Sequence, residues 1–473
     1  MNGLLGFIIT AIFGFGITFL FDINFRKLER FALSILLGFG VQTLFMFIFY
    51  LFGLGFTLMN TLLEMFILST PIYLLCIFLG RWPKIKNFWL TIFSFRNLKK
   101  ELVTIVSSNP EEKIFIIFVL GLLLVSLIIG TYFPVSGWDS LVLYDFRAVT
   151  FVATGGMADG IARGYFFGYP LMTSLAHTWM YFVKGNPHVF YWGIYLAFIV
   201  VIYECLKSFL GSVTTKITTL VLITLPFVFT GSYFDYTNFP YLVYIVTSVL
   251  YIIRFSKDRK SGYLILASIL VGLSTWIRET EPFWIVNLLA IITVIIPGYR
   301  KRFVFNTFLI ALCLFVFFAI QQPWKLYETK MIGGGRNVGD QAAYAIKSLE
   351  IFDIPRFIDV AITTIKGTVS TWSPYLSIAV LAAILARKNL KKGIIIIGFV
   401  LGDIGLLFVG TYIFSFIWKE SWKSIIESQQ RLSTFIIPLL IVFIATMFDD
   451  YIIKGEIFLR EWIGSFLHKT FDD

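Results

Sequence analysis

Apolar runs of about 20 residues recur from one end of this chain to the other, the length a helix needs to cross the hydrocarbon of a bilayer. Residues 114–133, IFIIFVLGLLLVSLIIGTYF, and residues 394–417, IIIIGFVLGDIGLLFVGTYIFSFI, show the pattern. A water-soluble core has no use for such runs. In lipid, by contrast, each run must satisfy its own backbone hydrogen bonds, and a helix does so. Composition agrees: 58% of residues are hydrophobic and 14% charged, where soluble domains average about 25% charged. We read 13 membrane helices, near 3–21, 33–52, 58–80, 113–133, 189–206, 217–232, 239–254, 262–278, 283–298, 303–321, 373–386, 394–416 and 433–448. The expected fold class is an all-α, polytopic transmembrane protein.

The formal net charge of +11 does not point to nucleic acid, because the cations sit in short clusters between apolar runs. Such clusters mark cytoplasmic loops. They are Arg26, Lys27 and Arg30; then Arg81, Lys84, Lys86, Arg96, Lys99 and Lys100; then Lys257, Arg259 and Lys260; then Arg300, Lys301 and Arg302; then Arg387, Lys388, Lys391 and Lys392. Placing all of them inside leaves the N-terminus outside and the C-terminus cytoplasmic in a cell membrane. Residues 165–183 then cannot be a further span without reversing every later loop. They are expected at the outer interface, a depth that suits Tyr165, Tyr169, Trp179 and Tyr181. The first run lacks a basic leader and a small-residue cleavage site, and reads as a retained helix. Cys76, Cys205 and Cys313 lie inside apolar runs and offer no disulfide framework.

Two long external segments follow, 134–188 and 322–372, and long loops tend to carry function. Residues 136–148, SGWDSLVLYDFRA, hold Asp139, Asp145 and Arg147 directly after a membrane helix. A carboxylate there is placed to take a proton from an acceptor hydroxyl. The plain alternative is a capping pattern, Ser136 with Asp139, beside a solvated Asp145–Arg147 pair.

The order of these features resembles the first external loop of GT-C glycosyltransferases. It is most similar to the branch with the lipid A aminoarabinose transferases, the protein O-mannosyltransferases and the Rgt-type sugar transferases. A membrane helix leads into the outward Trp138–Asp139 motif, then an interfacial helix with Tyr144 and Arg147. YPLMTSLAHTWMYFVKGNP and a membrane helix ending in basic residues come next. The resemblance covers roughly 113–450. It implies a GT-C-like fold with interfacial helices in the first long external loop, and Asp139 at the position of the base. Ser140 follows where relatives often carry Glu, which keeps Asp145 as a rival. Tyr169, Pro170 and Leu171 match the later Pro-Leu stretch. Residues 1–112 would be added N-terminal helices with a basic loop, 113–450 the catalytic module, and 451–473 an amphipathic cytoplasmic tail.

The implied reaction is an inverting sugar transfer from a polyprenyl-phosphate donor to a hydroxyl of a lipid, glycan or protein. The departing phosphate calls for cations. Arg431, at the outer end of the last helix, resembles the family's Arg before a Pro-containing helix; its plain alternative is an i,i+4 pair with Glu427. Arg278, Lys325 and Arg336 are further candidates, with Tyr144, Arg147, Tyr169, Glu279 and Glu281 as residues of the acceptor or donor pocket. Asp139 with Asp145 or Asp235 offers room for a divalent ion such as Mg or Mn. Gly333, Gly334 and Gly335 lack the GK[ST] of a phosphate loop, and His177, alone among apolar neighbours, reads as structural. Asp403, in the middle of an apolar run, supports a different function, a transporter or flippase of a lipid-linked saccharide. An oligosaccharide ligase or polymerase would share the outward basic site.

Overall fold

The computed structural model describes residues 2–92, 109–157, 169–279, 281–296, 302–331, 353–417, 423 and 426–471, and these form helices and turns with no strand among them. They fall into two units, residues 1–201 with 224–337, and residues 202–223 with 338–473.

The first unit opens with α1 (Asn2–Thr18) and α2 (Lys27–Leu51), which pair at close range. The sequence allows this through two glycines: a methyl at Gly14 would sit 1.9 Å from the Ser34 carbonyl oxygen, and one at Gly38 2.3 Å from that of Thr10. Small residues are the usual means by which membrane helices approach this closely. Next come α3 (Leu58–Phe78), capped by the Thr57 hydroxyl accepting from the Asn60 amide, and the short α4 (Trp82–Ile92). In α5 (Pro110–Tyr132), Pro110 occupies the first turn with Glu111 and Glu112, as an N-terminus favours. Arginines near the helix ends also tie those ends together. Arg30 donates to the Thr18 carbonyl at 2.9 Å, Arg81 to that of Phe19 at 2.6 Å, and Arg254 pairs with the buried Glu29.

Beyond α5 lie a π-helical turn (Ser140–Asp145), α6 (Phe146–Thr154), α7 (Met172–Phe182) and α8 (His188–Leu206). After α9 (Ser212–Thr224), which belongs to the second unit, come α10 (Pro226–Gly231), α11 (Asn238–Asp258), α12 (Ser261–Ile277), α13 (Phe283–Ile295) and α14 (Phe303–Met331). Helices α11 and α12 are buried along most of their length. By contrast α5 and α14 expose rows of Ile, Leu and Phe, the surface lipid tails would cover. The second unit also holds α15 (Ile354–Leu385), α16 (Leu390–Ile417), α17 (Ile426–Ser433) and α18 (Ile437–Phe471).

Eight of the described helices are long and apolar enough to cross a membrane, nine if the bent α15 counts as one span; α1, α9, α12 and α13 are apolar but shorter. The protein is thus a multi-pass, all-α membrane protein, and the expected number of 13 spans is not established. Four boundaries differ from the sequence reading. The run at 217–232 is broken between α9 and α10, where Leu225 turns extended (ψ 130°) ahead of Pro226, as a residue before proline tends to do. Helix α14 continues past 321 to Met331, and α15 begins at Ile354 rather than 373. The tail does not separate at 451; it prolongs α18 as one helix. Helix α7, with 11 residues, is too short to span, in keeping with its expected exclusion from the spans. Its Trp179, however, is fully buried and donates to the Gly6 carbonyl at 3.3 Å, so it packs inside protein instead of anchoring at an interface.

Candidate active site

The acidic motif is a turn clamped onto a second loop. After α5 the chain is extended at Phe133, and Gly137 takes φ +104°. A β-carbon there would be strained and would meet the Phe234 ring at 3.0 Å and that of Tyr236 at 3.1 Å. Asp139 then heads the π-turn Ser140–Asp145 and is itself half-buried, without capping the turn through its side chain. Single π-turns of this kind are rare and often found at functional sites. Two buried side chains fasten the turn to residues 235–237. The Ser140 hydroxyl donates to the Asp235 carbonyl at 2.8 Å, and the Tyr144 and Thr237 hydroxyls lie 3.0 Å apart.

At the far end of the turn stands Asp145. Its Oδ1 takes two hydrogen bonds from α7, from His177 Nδ1 at 3.1 Å and from the Tyr181 hydroxyl at 2.6 Å. His177 is fully buried, and its Nε2 lies 3.0 Å from the Tyr191 hydroxyl on α8. Burial pushes the Asp145 carboxyl up, but the His177 and Tyr181 contacts outweigh it, and its pKa falls below the ordinary value. Burial and Asp145 together raise the Tyr181 phenol.

Asp235 lies fully buried in the loop between α10 and α11, with Oδ1 3.0 Å from His188 Nδ1. The contact is one of distance alone, since no polar atom of either side chain has a well-aligned hydrogen bond. Burial, and then the negative charge of Asp145, push the Asp235 carboxyl up to about 8.

Arg278, just past α12, reaches the same loop. It donates to Thr237 Oγ1 at 3.0 Å and also bonds Asn238 and Glu281. Burial works against its charge, and Glu281 more than offsets this, so its pKa lies above the ordinary value. Its guanidinium stands 5.1 Å from the centre of the Tyr169 ring, and Arg147 donates to the Tyr169 carbonyl at 3.2 Å. Arg147 is buried, which lowers it to about 10. Glu279 is ion-paired with Lys325 of α14, and its pKa is raised by burial against the pull of that lysine.

Of the residues expected from sequence, Tyr144, Asp145, Arg147, Tyr169, Asp235, Arg278 and Glu281 are joined through these contacts, and Asp139 starts the same turn. Arg431 is exposed on α17 in the second unit. Arg336 lies outside the described residues, as do Tyr165 and Gly333–Gly335. Among the described residues no group of three or more His, Cys, Asp or Glu is arranged to hold a metal ion. Sequence reasoning took His177 as structural and passed over His188. Each meets its Asp only in the folded chain, 32 and 47 residues away in sequence, and no local pattern announces such pairs.

Residues 191–327 match a family model described as dolichyl-phosphate-mannose-protein mannosyltransferase. The match supports a GT-C-type membrane glycosyltransferase. Neither the curated proteins nor the solved structures contain a match to it. The matched stretch holds Tyr191, Asp235, Thr237, Arg278, Glu279, Glu281 and Lys325, while the acidic turn, His177 and His188 precede it.

Proposed function

We propose that this glycosyltransferase moves a sugar, with inversion, from a polyprenyl-phosphate donor to an acceptor hydroxyl at the outer membrane-water interface. The observation that supports it best is Thr237. Its single side-chain oxygen meets Tyr144 of the acidic turn and Arg278, each at 3.0 Å, inside the stretch that matches the family model. A carboxylate supply for the acceptor and a buried cation are thereby fixed to one loop. Preorganised groups of this kind are what a charge-separating transfer needs.

In the proposed reaction a carboxylate of the turn removes the acceptor proton, Asp139 by family position or Asp145 as its rival. The acceptor oxygen attacks the anomeric carbon, and the lipid phosphate departs. Arg431 and Arg336 are the proposed partners of that phosphate. Arg278 and Lys325, each paired with a glutamate, would hold the loops with Glu281, Glu279 and Tyr169. The site would face outward, with the N-terminus outside and the C-terminus in the cytoplasm. Acceptors would be lipid, glycan or protein hydroxyls in cell-envelope glycan synthesis, and a Mg or Mn ion is an optional participant.

The test is transfer by purified protein from a panel of radiolabelled polyprenyl-phosphate sugars to added acceptors, with Asp139→Asn and Asp145→Asn in parallel. Turnover in wild type and its loss in one variant supports the reading; full turnover in both variants removes the turn as the source of the base. A second reading, transport of a lipid-linked saccharide, draws on Asp403. It is buried in α16 with Oδ1 lacking a hydrogen-bond partner. Transport that vanishes in Asp403→Asn and survives in Asp139→Asn would favour that reading.

A further inference from the structure

The two carboxylates of the turn are held differently, and the difference bears on which of them takes the proton. Asp145 ends a chain of three side chains, Tyr191 to His177 to Asp145, with separations of 3.0 and 3.1 Å. The first two members are fully buried, while the Asp145 side chain keeps 14% of its surface exposed. Both hydrogen bonds to Asp145 fall on Oδ1, which leaves Oδ2 for a substrate hydroxyl. In a general base, one group accepts the proton and a second fixes its orientation. With the Tyr191 hydroxyl donating to Nε2, Nδ1 carries the N–H and directs it at the carboxylate.

We propose that Asp145 is the proton acceptor for sugar transfer and that His177, anchored by Tyr191, is its positioning residue. The inference rests on the glycosyltransferase reading above and specifies the base within it. The step balances as follows. An Oδ2 electron pair takes the acceptor proton, and the acceptor oxygen bonds to the anomeric carbon. The bond from that carbon to the phosphate oxygen breaks, and its electrons leave with the polyprenyl phosphate. Asp145 then returns the proton to water. The titratable groups facing Asp145 are His177 and Tyr181 from α7, His188 from α8, and Asp235 from the α10–α11 loop. Loss of the imidazole removes a contact that favours the carboxylate form. The acidic limb of the rate profile then moves to higher pH.

The chain has 3 histidines, His177, His188 and His468, so selective 15N-histidine labelling gives a readout independent of turnover. The full-length protein is reconstituted in lipid, and His177 is assigned by its disappearance in His177→Asn. The expected spectrum shows His177 protonated at Nδ1 and displaced in Asp145→Asn. In parallel, transfer from polyprenyl-phosphate-[14C]mannose is followed against pH. Asp145→Asn is expected to lose about a hundredfold or more in kcat. His177→Ala should lose between about ten- and a hundredfold, as misplacement of a reacting group does, with its acidic limb raised. His177→Asn, whose amide reaches the Nδ1 position, should recover part of both. A His177 resonance protonated at Nε2, or one indifferent to Asp145→Asn, overturns the positioning chain whatever the enzyme does. Turnover kept in Asp145→Asn and lost in Asp139→Asn overturns the choice of base. Failure of the mannose donor alone, with the resonance as expected, counts against the donor class and leaves the positioning chain supported.

Discussion

Thr237 has one hydroxyl, and two parts of the site depend on it. Thr237→Val keeps the volume but takes away the hydroxyl that Tyr144 meets and one of the three side-chain partners of Arg278, at a cost of about 1–3 kcal/mol in stability. We expect a lower thermal midpoint and at least a tenfold loss of transfer (about 1.4 kcal/mol in barrier), whereas Thr237→Ser stays near wild type. Asp235 supplies a prediction about pH. Its folded carboxyl is raised to about 8, above an unfolded value of about 3.9. Below both values it carries its proton in either state and costs nothing. Between them the unfolded chain alone releases the proton, so stability falls as pH rises from about 4 to about 8 and then levels off. Asp235→Asn cannot ionise. Its melting point, followed by tryptophan fluorescence, should match wild type near pH 4 and exceed it by several degrees near pH 9. A gain of equal size at both pH values would mean that burial of the charge is not what it relieves.

At the scale of elements, the sequence was most legible where length alone decides. Every apolar run reappears in helical structure, because in lipid the backbone has no other way to satisfy itself. The ends were less legible. Hydropathy marks where hydrocarbon ends, and a helix need not stop there: α14 carries Gln321, Gln322, Pro323 and Lys325 onward to Met331. The π-turn left no trace in the residue pattern either, since its wider hydrogen-bonding depends on the backbone and on the clamp from residues 235–237. From sequence, Asp139 could therefore be put first by family position alone, with Asp145 as its rival, and His177 could not be seen as a partner at all. Gly137 tests the clamp. With φ at +104° and two aromatic rings within 3.1 Å of a new β-carbon, Gly137→Ala should cost about 1–3 kcal/mol. It should also lower transfer by releasing the turn, readable as increased protease access between Pro134 and Ser140. An unchanged digestion pattern would show that the turn holds without the glycine.

For the whole molecule, the basic clusters serve two ends. By the positive-inside rule they are expected to keep their loops inside, and Arg30 and Arg81 also tie helix ends within the first unit. A reporter that fluoresces only in the cytoplasm should be bright when fused after residue 473 and dark before residue 1; the opposite pair of signals would invert the proposed orientation and place the acidic turn inside the cell. Helix α18 has a separate, practical consequence. Its 35 residues extend about 52 Å at 1.5 Å per residue, and a hydrocarbon core takes up about 30 Å of that. A chain of 54.2 kDa made mostly of apolar helices offers electron microscopy little beyond the detergent belt by which to align particle images. A rigid scaffold protein, spliced in phase onto this continuous rod, would supply the missing fiducial mark.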